Sequence, residues 1–234
     1  SDFSARKGRY IGFSLLVNDN DGNGRKGYME FYSGIGSTKN PSQYGTAVLL
    51  DSAEDSISSV MFTDMENHWA NREVEDMAYR EIVTGKADLL FEPDTPITRA
   101  EFIAMLARAL NLQTYEYKKL FNDVEYDDWY AQYIESALLN GWIDGGLIAG
   151  KSFLPLTPIT RAESASVIVR SVGAENFDCK VSFEDTKNIL PYLVYYIKTA
   201  VANSFMKGED ENLFAPDKNL TRAEAAVLIS RLLN

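Results

Sequence analysis

The sequence has little of what would mark an enzyme or a disulfide-linked module. Cys179 is the single cysteine, so no intrachain disulfide can form, which fits a cytosolic protein and equally a secreted protein without bridges. His68 is the single histidine, and we expect it in a loop because one histidine lacks the partners of a metal site. No pair of acids has a distinctive catalytic spacing. These shortages argue against a catalytic site or a cofactor in these residues.

Positive charge is scarce as well. The 23 Lys and Arg residues oppose 34 Asp and Glu residues, giving a formal net charge of -11. This balance argues against nucleic acid and anionic membranes as partners, but it allows a local basic site for an anionic ligand. No apolar run approaches the ~18 residues of a membrane span, so no membrane insertion is expected. The first residues show no signal-peptide pattern, and we expect the chain to begin as a mature protein or within a longer one.

A six-residue pattern recurs at a nearly constant period. Residues 96–101 read Pro-Ile-Thr-Arg-Ala-Glu, the same six letters return at 158–163, and Leu-Thr-Arg-Ala-Glu occupies 220–224. The successive Thr residues are 62 and 61 positions apart. Three copies at one period predict three repeats of one structural unit.

Each repeat shares a longer frame around this pattern. Phe-x-Asp opens the unit, an aromatic residue and an amphipathic helix follow, and a glycine precedes a loop with Phe-x-Pro. The second helix, which starts at the six-residue pattern, is apolar on most sides and should be central. We predict a mainly α fold of three helix-loop-helix repeats packed around a pseudo-threefold axis, with a small N-terminal β fragment. The expected bounds are 1–51 for the β fragment, 52–57 for a linker, and 58–114, 115–176 and 177–234 for the repeats.

The Thr-Arg-Ala-Glu letters predict a helix start. Thr followed three residues later by Glu forms a capping box, in which each side chain bonds the other residue's backbone N–H. The Arg is unexpected because the helix dipole disfavours a cation at the first helical position. One interpretation is a structural salt bridge to an acidic neighbour. The other is an anion site, where free N–H groups, the positive helix end and the guanidinium of Arg99, Arg161 or Arg222 converge.

A second arginine follows each motif arginine after nine residues. Nine steps of about 100° lead to the opposite helix face. We therefore expect Arg108, Arg170 and Arg231 to be internal ion-pair residues that do not share the ligand of the motif arginine.

The first 51 residues alternate like β-strands. Apolar side chains alternate from Ile11 to Val17 and again near Tyr28, and Thr46 to Leu50 predicts a further short strand. Two or three strands cannot bury a face alone. This segment therefore looks like the end of a larger β-sandwich.

The turn between these strands matches the letters of an EF-hand calcium loop. A hairpin turn rich in Asn, Asp and Gly explains the same letters and is the preferred interpretation, because strands flank it and Lys26 stands where an apolar residue is expected. Calcium is the weaker alternative. Its candidate ligands are Asp19, Asp21, Asn23 and Glu30.

The threefold frame over residues 58–234 resembles the S-layer homology domain, with spacing and residue identity agreeing in all three copies. The resemblance implies a non-covalent, secreted cell-surface anchor. Its triple repeat would fold as a pseudo-trimer and bind an anionic cell wall polysaccharide attached to peptidoglycan, typically through a pyruvylated amino sugar. A pyruvyl ketal carries a carboxylate, which suits a guanidinium beside a helix N-terminus.

By this resemblance, Arg99, Arg161 and Arg222 would contact the sugar in grooves between units, and their joint replacement should weaken wall binding without unfolding the chain. Three other sets are candidates, each with a structural alternative. The aromatic residues could stack on a sugar or pack in the core, the acids could accept sugar hydroxyls, cap the first helix or pair with Arg, and the glycines could admit the ligand or cap a helix. They are Trp69, Trp129 and Tyr192; Asp64, Asp123 and Asp185; and Gly85, Gly145 and Gly208.

The copies differ, because the third repeat has Tyr192 where the others have Trp. We therefore expect the groove framed by the first two repeats to bind better than one that depends on Tyr192. Residues Ile11 to Leu49 also resemble the last strands of a family 9 carbohydrate-binding module, which implies a parent such as a secreted xylanase. A self-assembling S-layer protein and a piece of an enzyme are the alternatives.

Overall fold

The structure, a computed structural model, describes residues 62–86, 89–175 and 182–233 together with the backbone of four short strands. The chain divides into two compact units, Ser1–Ser59 and Val60–Asn234. The strands of the first unit are β1 (Tyr10–Phe13), β2 (Leu16–Asn18), β3 (Tyr28–Glu30) and β4 (Gly45–Val48).

The strands form two antiparallel pairs. β1 pairs with β4, and β2 pairs with β3. The alternation from Ile11 to Val17 is therefore divided between two strands with different partners. The antiparallel β2–β3 pair agrees with strands on both sides of the predicted turn, but residues 19–27 between them lie outside the described residues. The calcium candidates Asp19, Asp21 and Asn23 lie outside the described residues, and only the backbone of Glu30 is described.

The described part of Val60–Asn234 is built from six α-helices, two in each repeat. The first repeat has α1 (Asn71–Tyr79) and α2 (Arg99–Ala109), the second α3 (Ala131–Leu139) and α4 (Arg161–Val172), and the third α5 (Pro191–Ala202) and α6 (Arg222–Leu232). The mainly α fold of helix-loop-helix repeats is confirmed. Among the described residues, none of the helices combines the length and the apolar character of a membrane span.

The second helix of each repeat begins as the letters predict. Thr98, Thr160 and Thr221 are the N-caps of α2, α4 and α6, and each forms a complete capping box with the Glu three residues on. Most residues of these helices are buried. A helix that is apolar on most sides must be surrounded by other parts of the protein, so these three helices lie at the centre of the repeats.

A ring of backbone hydrogen bonds closes the three repeats around a common axis. The N–H of Ile97 donates to Leu220 O, that of Leu220 to Ile159 O, and that of Ile159 to Ile97 O, each at 3.0 Å. These residues immediately precede the three N-caps. The cyclic order is the pseudo-threefold arrangement that the repeats predict.

The first helices complete the ring by packing on a neighbouring repeat. α3 packs on α2, α5 on α4, and α1 on α6. Each repeat thus covers the second helix of the preceding one, and the third repeat is covered by the first. This exchange explains why one repeat cannot bury its own apolar face.

Candidate functional site

The motif arginines are buried and cross into the next repeat. Only 8% of Arg99, 7% of Arg161 and 4% of Arg222 is exposed. Arg222 Nε donates to Phe91 O at 2.8 Å, and its Nη2 donates to Thr84 O at 2.9 Å. The third repeat is thereby fastened to the first.

The other two arginines repeat this arrangement around the ring. Arg161 Nε donates to Phe214 O at 2.8 Å and its Nη2 to Lys207 O at 2.7 Å. Arg99 Nη1 donates to Phe153 O at 3.0 Å. Each motif arginine also meets a carboxylate of the next repeat, so the salt bridge of the first interpretation is present. The pairs are Arg99 with Glu163, Arg161 with Glu209 and Arg222 with Glu101.

The N–H groups at the starts of α2, α4 and α6 are not free. Arg222 N donates to Thr95 O, Ala223 N donates to Pro93 O, and Glu224 N donates to the Thr221 hydroxyl. Equivalent bonds hold α2 and α4. The expectation of free helix N–H groups for a ligand was wrong, because the loop of the neighbouring repeat supplies their acceptors.

Glu101 shows how the capping box and the interface share one side chain. Its Oε2 accepts from Thr98 N at 2.9 Å, while its Oε1 lies 3.4 Å from Arg222 Nη1 and 3.3 Å from Lys86 Nζ. Burial raises the pKa of Glu101, but the bonds from Thr98 and the charge of Arg222 outweigh it, so the pKa is lowered. The carboxylate is therefore held in its charged form.

The three candidate aromatic residues are exposed, with 63% of Trp69, 53% of Trp129 and 37% of Tyr192 accessible to solvent. The alternative of core packing was wrong for all three. Large aromatic faces held open at a surface are suited to stacking on a sugar ring.

Trp129 lies at a cavity of about 310 Å³, here called groove 1, together with residues of the first repeat and Arg222 of the third. Trp69 lies at a cavity of about 160 Å³, groove 2, which has the equivalent composition one step around the ring. Besides its tryptophan, groove 1 is lined by Ile82, Val83, Thr84, Gly85, Lys86, Glu101, Met105, Arg108 and Arg222. Groove 2 is lined by Arg161, Met206, Lys207, Gly208, Leu220, Glu224, Val227, Leu228 and Arg231.

Among the residues that the structure describes, neither Arg108 nor Arg231 forms the internal ion pair that we expected. Arg108 lines groove 1, where its Nε lies 3.4 Å from the Tyr133 hydroxyl. Arg231 lines groove 2. The helical angle does separate Arg108 from Arg99, but the motif arginine in groove 1 is Arg222 of another repeat. Arg108 lies seven residues after Glu101, about 20° from the same helix face, and that spacing could have indicated the shared groove.

Both grooves carry excess positive charge in a strongly acidic chain. Groove 1 sets Lys86, Arg108 and Arg222 against Glu101, a formal net charge of +2. Groove 2 sets Arg161, Lys207 and Arg231 against Glu224, also +2, and the nearby Glu209 is neutralised by Lys218 at 2.9 Å. The local field therefore favours an anion although the net charge of the chain is -11.

The three candidate aspartates accept hydrogen bonds from backbone N–H groups of the Phe-x-Pro loops. Asp64 accepts from the N–H groups of Phe91 and Glu92, and the bond from Glu92 N is 2.6 Å long. Asp123 and Asp185 do the same for the loops of their own repeats. They brace the Phe-x-Pro loop, and within the described residues they neither cap the first helix nor pair with Arg. The braced x residues have positive φ, 58° at Glu92, a strained region for a side chain.

Our structural alternative for the glycines was wrong, because they do not cap the first helices. α1, α3 and α5 end at left-handed residues further upstream, namely Glu81, Gly141 and Ser204. Gly85 and Gly208 line grooves 1 and 2. A Cβ on Gly208 would come within 2.4 Å of Asp210 O, so close packing requires glycine there, whereas a Cβ on Gly145 would meet nothing within 4 Å.

Tyr192 lies at the third equivalent position, groove 3, which combines Arg99 with Asp144, Glu163 and Arg170. Arg170 Nη2 is 2.9 Å from Asp144 Oδ2, so here the expected ion pair is present. Burial raises the pKa of Tyr192, and the negative charges of Asp144 and Glu163 add to the increase. His68 lies in a loop as expected, 3.5 Å from Asp94, and no cluster of metal-ligating side chains occurs among the residues whose side chains are described.

The fold and the grooves define a cyclic three-repeat module with cationic, aromatic-walled clefts between its repeats. Residues 62–103 and 182–226 match the family model described as "S-layer homology domain". These two segments of the chain therefore belong to the S-layer homology domain family. The second repeat has the same two helices, capping box and loop bracing as the two matched ones.

Curated relatives share these repeats within much longer proteins. Exoglucanase XynX of Acetivibrio thermocellus is 37% identical over 97% of this chain and 21% of its own length. Amylopullulanase of Thermoanaerobacterium thermosulfurigenes is 38% identical over 74% of this chain and 9% of its own length. The Cellulosome-anchoring protein of Acetivibrio thermocellus is 32% identical over 62% of this chain and 33% of its own length. The chain thus spans a third or less of the length of these relatives.

Proposed function

We propose that this chain is a non-covalent cell-surface anchor that binds an anionic cell wall polysaccharide attached to peptidoglycan. The observation that carries the proposal is the pairing of an exposed tryptophan with a net charge of +2 in groove 1 and again in groove 2. A flat apolar face beside two guanidinium groups suits a sugar ring that bears a carboxylate. A pyruvylated amino sugar has both features.

Each groove offers its cations in two different ways. The motif arginine is rigid, because carbonyl and carboxylate partners already hold it. Arg108 and Arg231 have no carboxylate partner within the described ranges and can turn toward a ligand. We assign direct contact with the ligand carboxylate to Arg108 and Arg231, and positioning of the groove wall to Arg222 and Arg161.

The protein that contains the chain would be a secreted polysaccharide hydrolase, of the xylanase type. Two of the relatives are named for different polysaccharides, glucan and pullulan, although they share the same repeats. Shared repeats with unlike substrate names favour a role in attachment and not in catalysis. The match to the exoglucanase leaves out only about seven residues of this chain, so it includes most of the β fragment, for which we propose a carbohydrate-binding-module origin.

Cell wall sacculi provide the test, before and after chemical removal of the polymer that is attached to the peptidoglycan. The chain should sediment with untreated sacculi and stay in solution with stripped ones. Equal binding to both would assign the ligand to peptidoglycan itself and contradict the proposal. Absence of binding, combined with formation of ordered lattices by the chain alone, would favour a self-assembling S-layer protein.

A further inference from the structure

Groove 3 has Tyr192 in place of a tryptophan and Gly146 where groove 1 has Lys86, and it also differs at one position of its mouth. The third residue after the left-handed helix end is Thr84 in groove 1, Lys207 in groove 2 and Asp144 in groove 3. Groove 3 thus gains a carboxylate where groove 2 has a cation. The clefts that look equivalent in the repeat pattern are chemically unequal.

The Asp144 carboxylate is fixed at both oxygens. Oδ1 accepts from Gly146 N at 2.8 Å, and Oδ2 lies 2.9 Å from Arg170 Nη2. Arg170 is held further by Gly141 O at 3.3 Å from Nη1 and by the Tyr196 ring, 4.9 Å from its guanidinium carbon. Arg170 is the counterpart of Arg108 and Arg231, so in groove 3 the cation that would meet a ligand already holds a carboxylate.

The charge of groove 3 follows from this pair. Arg99 pairs with Glu163 and Arg170 with Asp144, so these four side chains sum to a formal charge of zero, whereas the charged side chains that line grooves 1 and 2 sum to +2 in each. Part of the difference from groove 1 comes from Gly146, which stands where groove 1 has Lys86. Tyr192 narrows the mouth of groove 3, because its hydroxyl oxygen is 2.2 Å from the position that a Cβ on Gly146 would occupy. An incoming anion would have to displace a carboxylate that is covalently part of the chain and therefore present at high effective concentration.

We propose that Asp144 is a resident substitute for the ligand carboxylate, which keeps groove 3 closed and sets the binding stoichiometry at two anionic sugars per chain. This inference rests on the proposed function of grooves 1 and 2. It identifies Asp144 as the residue that determines which of the three grooves accepts an anionic sugar. Removing its charge should open a third site.

The three tryptophans make the test specific to each groove. Trp129 and Trp69 line grooves 1 and 2, and the buried Trp142 lies two residues before Asp144, at the position that Ile82 occupies in groove 1. The indole N–H signals of the ¹⁵N-labelled chain can be followed by NMR while a methyl glycoside of a pyruvylated amino sugar is added. The isopropylidene ketal of the same sugar, which lacks the carboxylate, is the matched control probe.

For the wild-type chain we expect the Trp129 and Trp69 signals to move with the pyruvylated probe while Trp142 stays, and two probe molecules to bind by calorimetry. Asp144→Asn keeps the size and the acceptor for Gly146, so it should let Trp142 move as well and raise the stoichiometry to three. Asp144→Thr, which introduces the residue of groove 1, should do the same. Adding Arg170→Gln to Asp144→Asn should return the count to two.

The outcomes separate the two proposals. If no indole signal of the wild type moves, the proposed function fails and this inference fails with it. If all three signals move in the wild type, the grooves bind but Asp144 does not close groove 3. If grooves 1 and 2 bind and both folded Asp144 variants still bind only two probes, Asp144 is not the determinant and the inference is wrong.

Discussion

Arg222 and Glu101 lie at opposite ends of the repeat array, yet Arg222 Nη1 is 3.4 Å from Glu101 Oε1. The same glutamate closes the capping box at Thr98. The Glu101 side chain therefore completes the capping box of α2 and also joins the third repeat to the first. The motif arginines therefore shape the walls of the grooves while holding the ring together.

Replacing Arg222 by Ala should destabilise the whole Val60–Asn234 unit. The substitution leaves Phe91 O and Thr84 O without their donor in a buried place and removes the charge that faces Glu101. We expect a loss of about 2–4 kcal/mol in the free energy of unfolding, measured with urea. Arg108→Gln is the control and should change stability by less than about 1 kcal/mol, since Arg108 is only partly buried. Equal stabilities would show that the arginine contacts contribute nothing to the fold. The buried contacts of the motif arginines argue against our expectation that all three can be removed without unfolding, and this measurement tests it.

Trp129→Ala should weaken binding and leave the fold intact. The ring is half exposed at groove 1, so its loss removes stacking surface worth about 1 kcal/mol, roughly fivefold in affinity. Tyr126→Ala is the matched control, because Tyr126 is more exposed and is not among the residues that line groove 1. Affinity is measured by calorimetry with the purified wall polymer. An equal loss for Tyr126→Ala would mean that the effect is not specific to the groove.

Glu81→Gly should stabilise the chain. Glu81 has a φ of 58° after the end of α1, where the second repeat has Gly141 with a φ of 73°. Glycine removes the strain of a left-handed side chain at some entropic cost, so the gain should be about 0.5–1 kcal/mol. The thermal midpoint reports it, and Glu66→Gly, an exchange outside this left-handed position, should lower the midpoint. A lower midpoint for Glu81→Gly would show that the side chain makes compensating contacts.

Asp185→Ala should loosen the loop of the third repeat. Asp185 accepts from Phe214 N and Ala215 N, and the latter has a φ of 57°. Two lost bonds from buried or half-buried donors should cost about 2–3 kcal/mol. Hydrogen exchange should accelerate most at the amides of residues 214 and 215. Asp217→Ala in the same loop is the control and should leave both amides protected.

Acid should weaken the contact between the third and first repeats. The pKa of Glu101 is lowered in the folded chain from an ordinary value of 4.5, so its contribution to stability is present above that pH and disappears as the pH falls through the folded pKa. Glu101→Gln, which keeps an acceptor for Thr98 N, should be less stable than the wild type at pH 7, and the difference should shrink toward pH 3. Urea midpoints at the two pH values measure it. A difference that does not depend on pH would contradict the charged role of Glu101.

The local parts of this architecture follow from the sequence, and the contacts between repeats do not. Thr98 and Glu101 are three residues apart, so the capping box is contained in the letters. The partner of Arg222 depends on which repeat follows around the ring, which no local pattern specifies. The helical angle correctly placed Arg108 and Arg99 on opposite faces of α2. It could not show that Arg222, the motif arginine of the third repeat, lies in the same groove as Arg108.

The exposure of the aromatic residues was also beyond local reasoning. Trp69 and the buried Trp142 are both aromatic residues beside a first helix, and hydrophobicity alone assigns both to a core. Their difference arises from the covering of each second helix by a neighbouring repeat, which leaves Trp69 at the rim of a groove. Burial of this kind is decided by the closed ring and not by the repeat sequence.

Retention on cell wall sacculi of a chain with Arg108→Gln and Arg231→Gln tests the central claim most directly. These changes remove one cation from each of grooves 1 and 2 and spare the buried motif arginines. We expect the folded double variant to lose at least tenfold in affinity, while Arg170→Gln, whose partner is Asp144, binds like the wild type. Undiminished binding of the double variant, or an equal loss for Arg170→Gln, would contradict an anchor that holds the wall polymer through two cationic grooves.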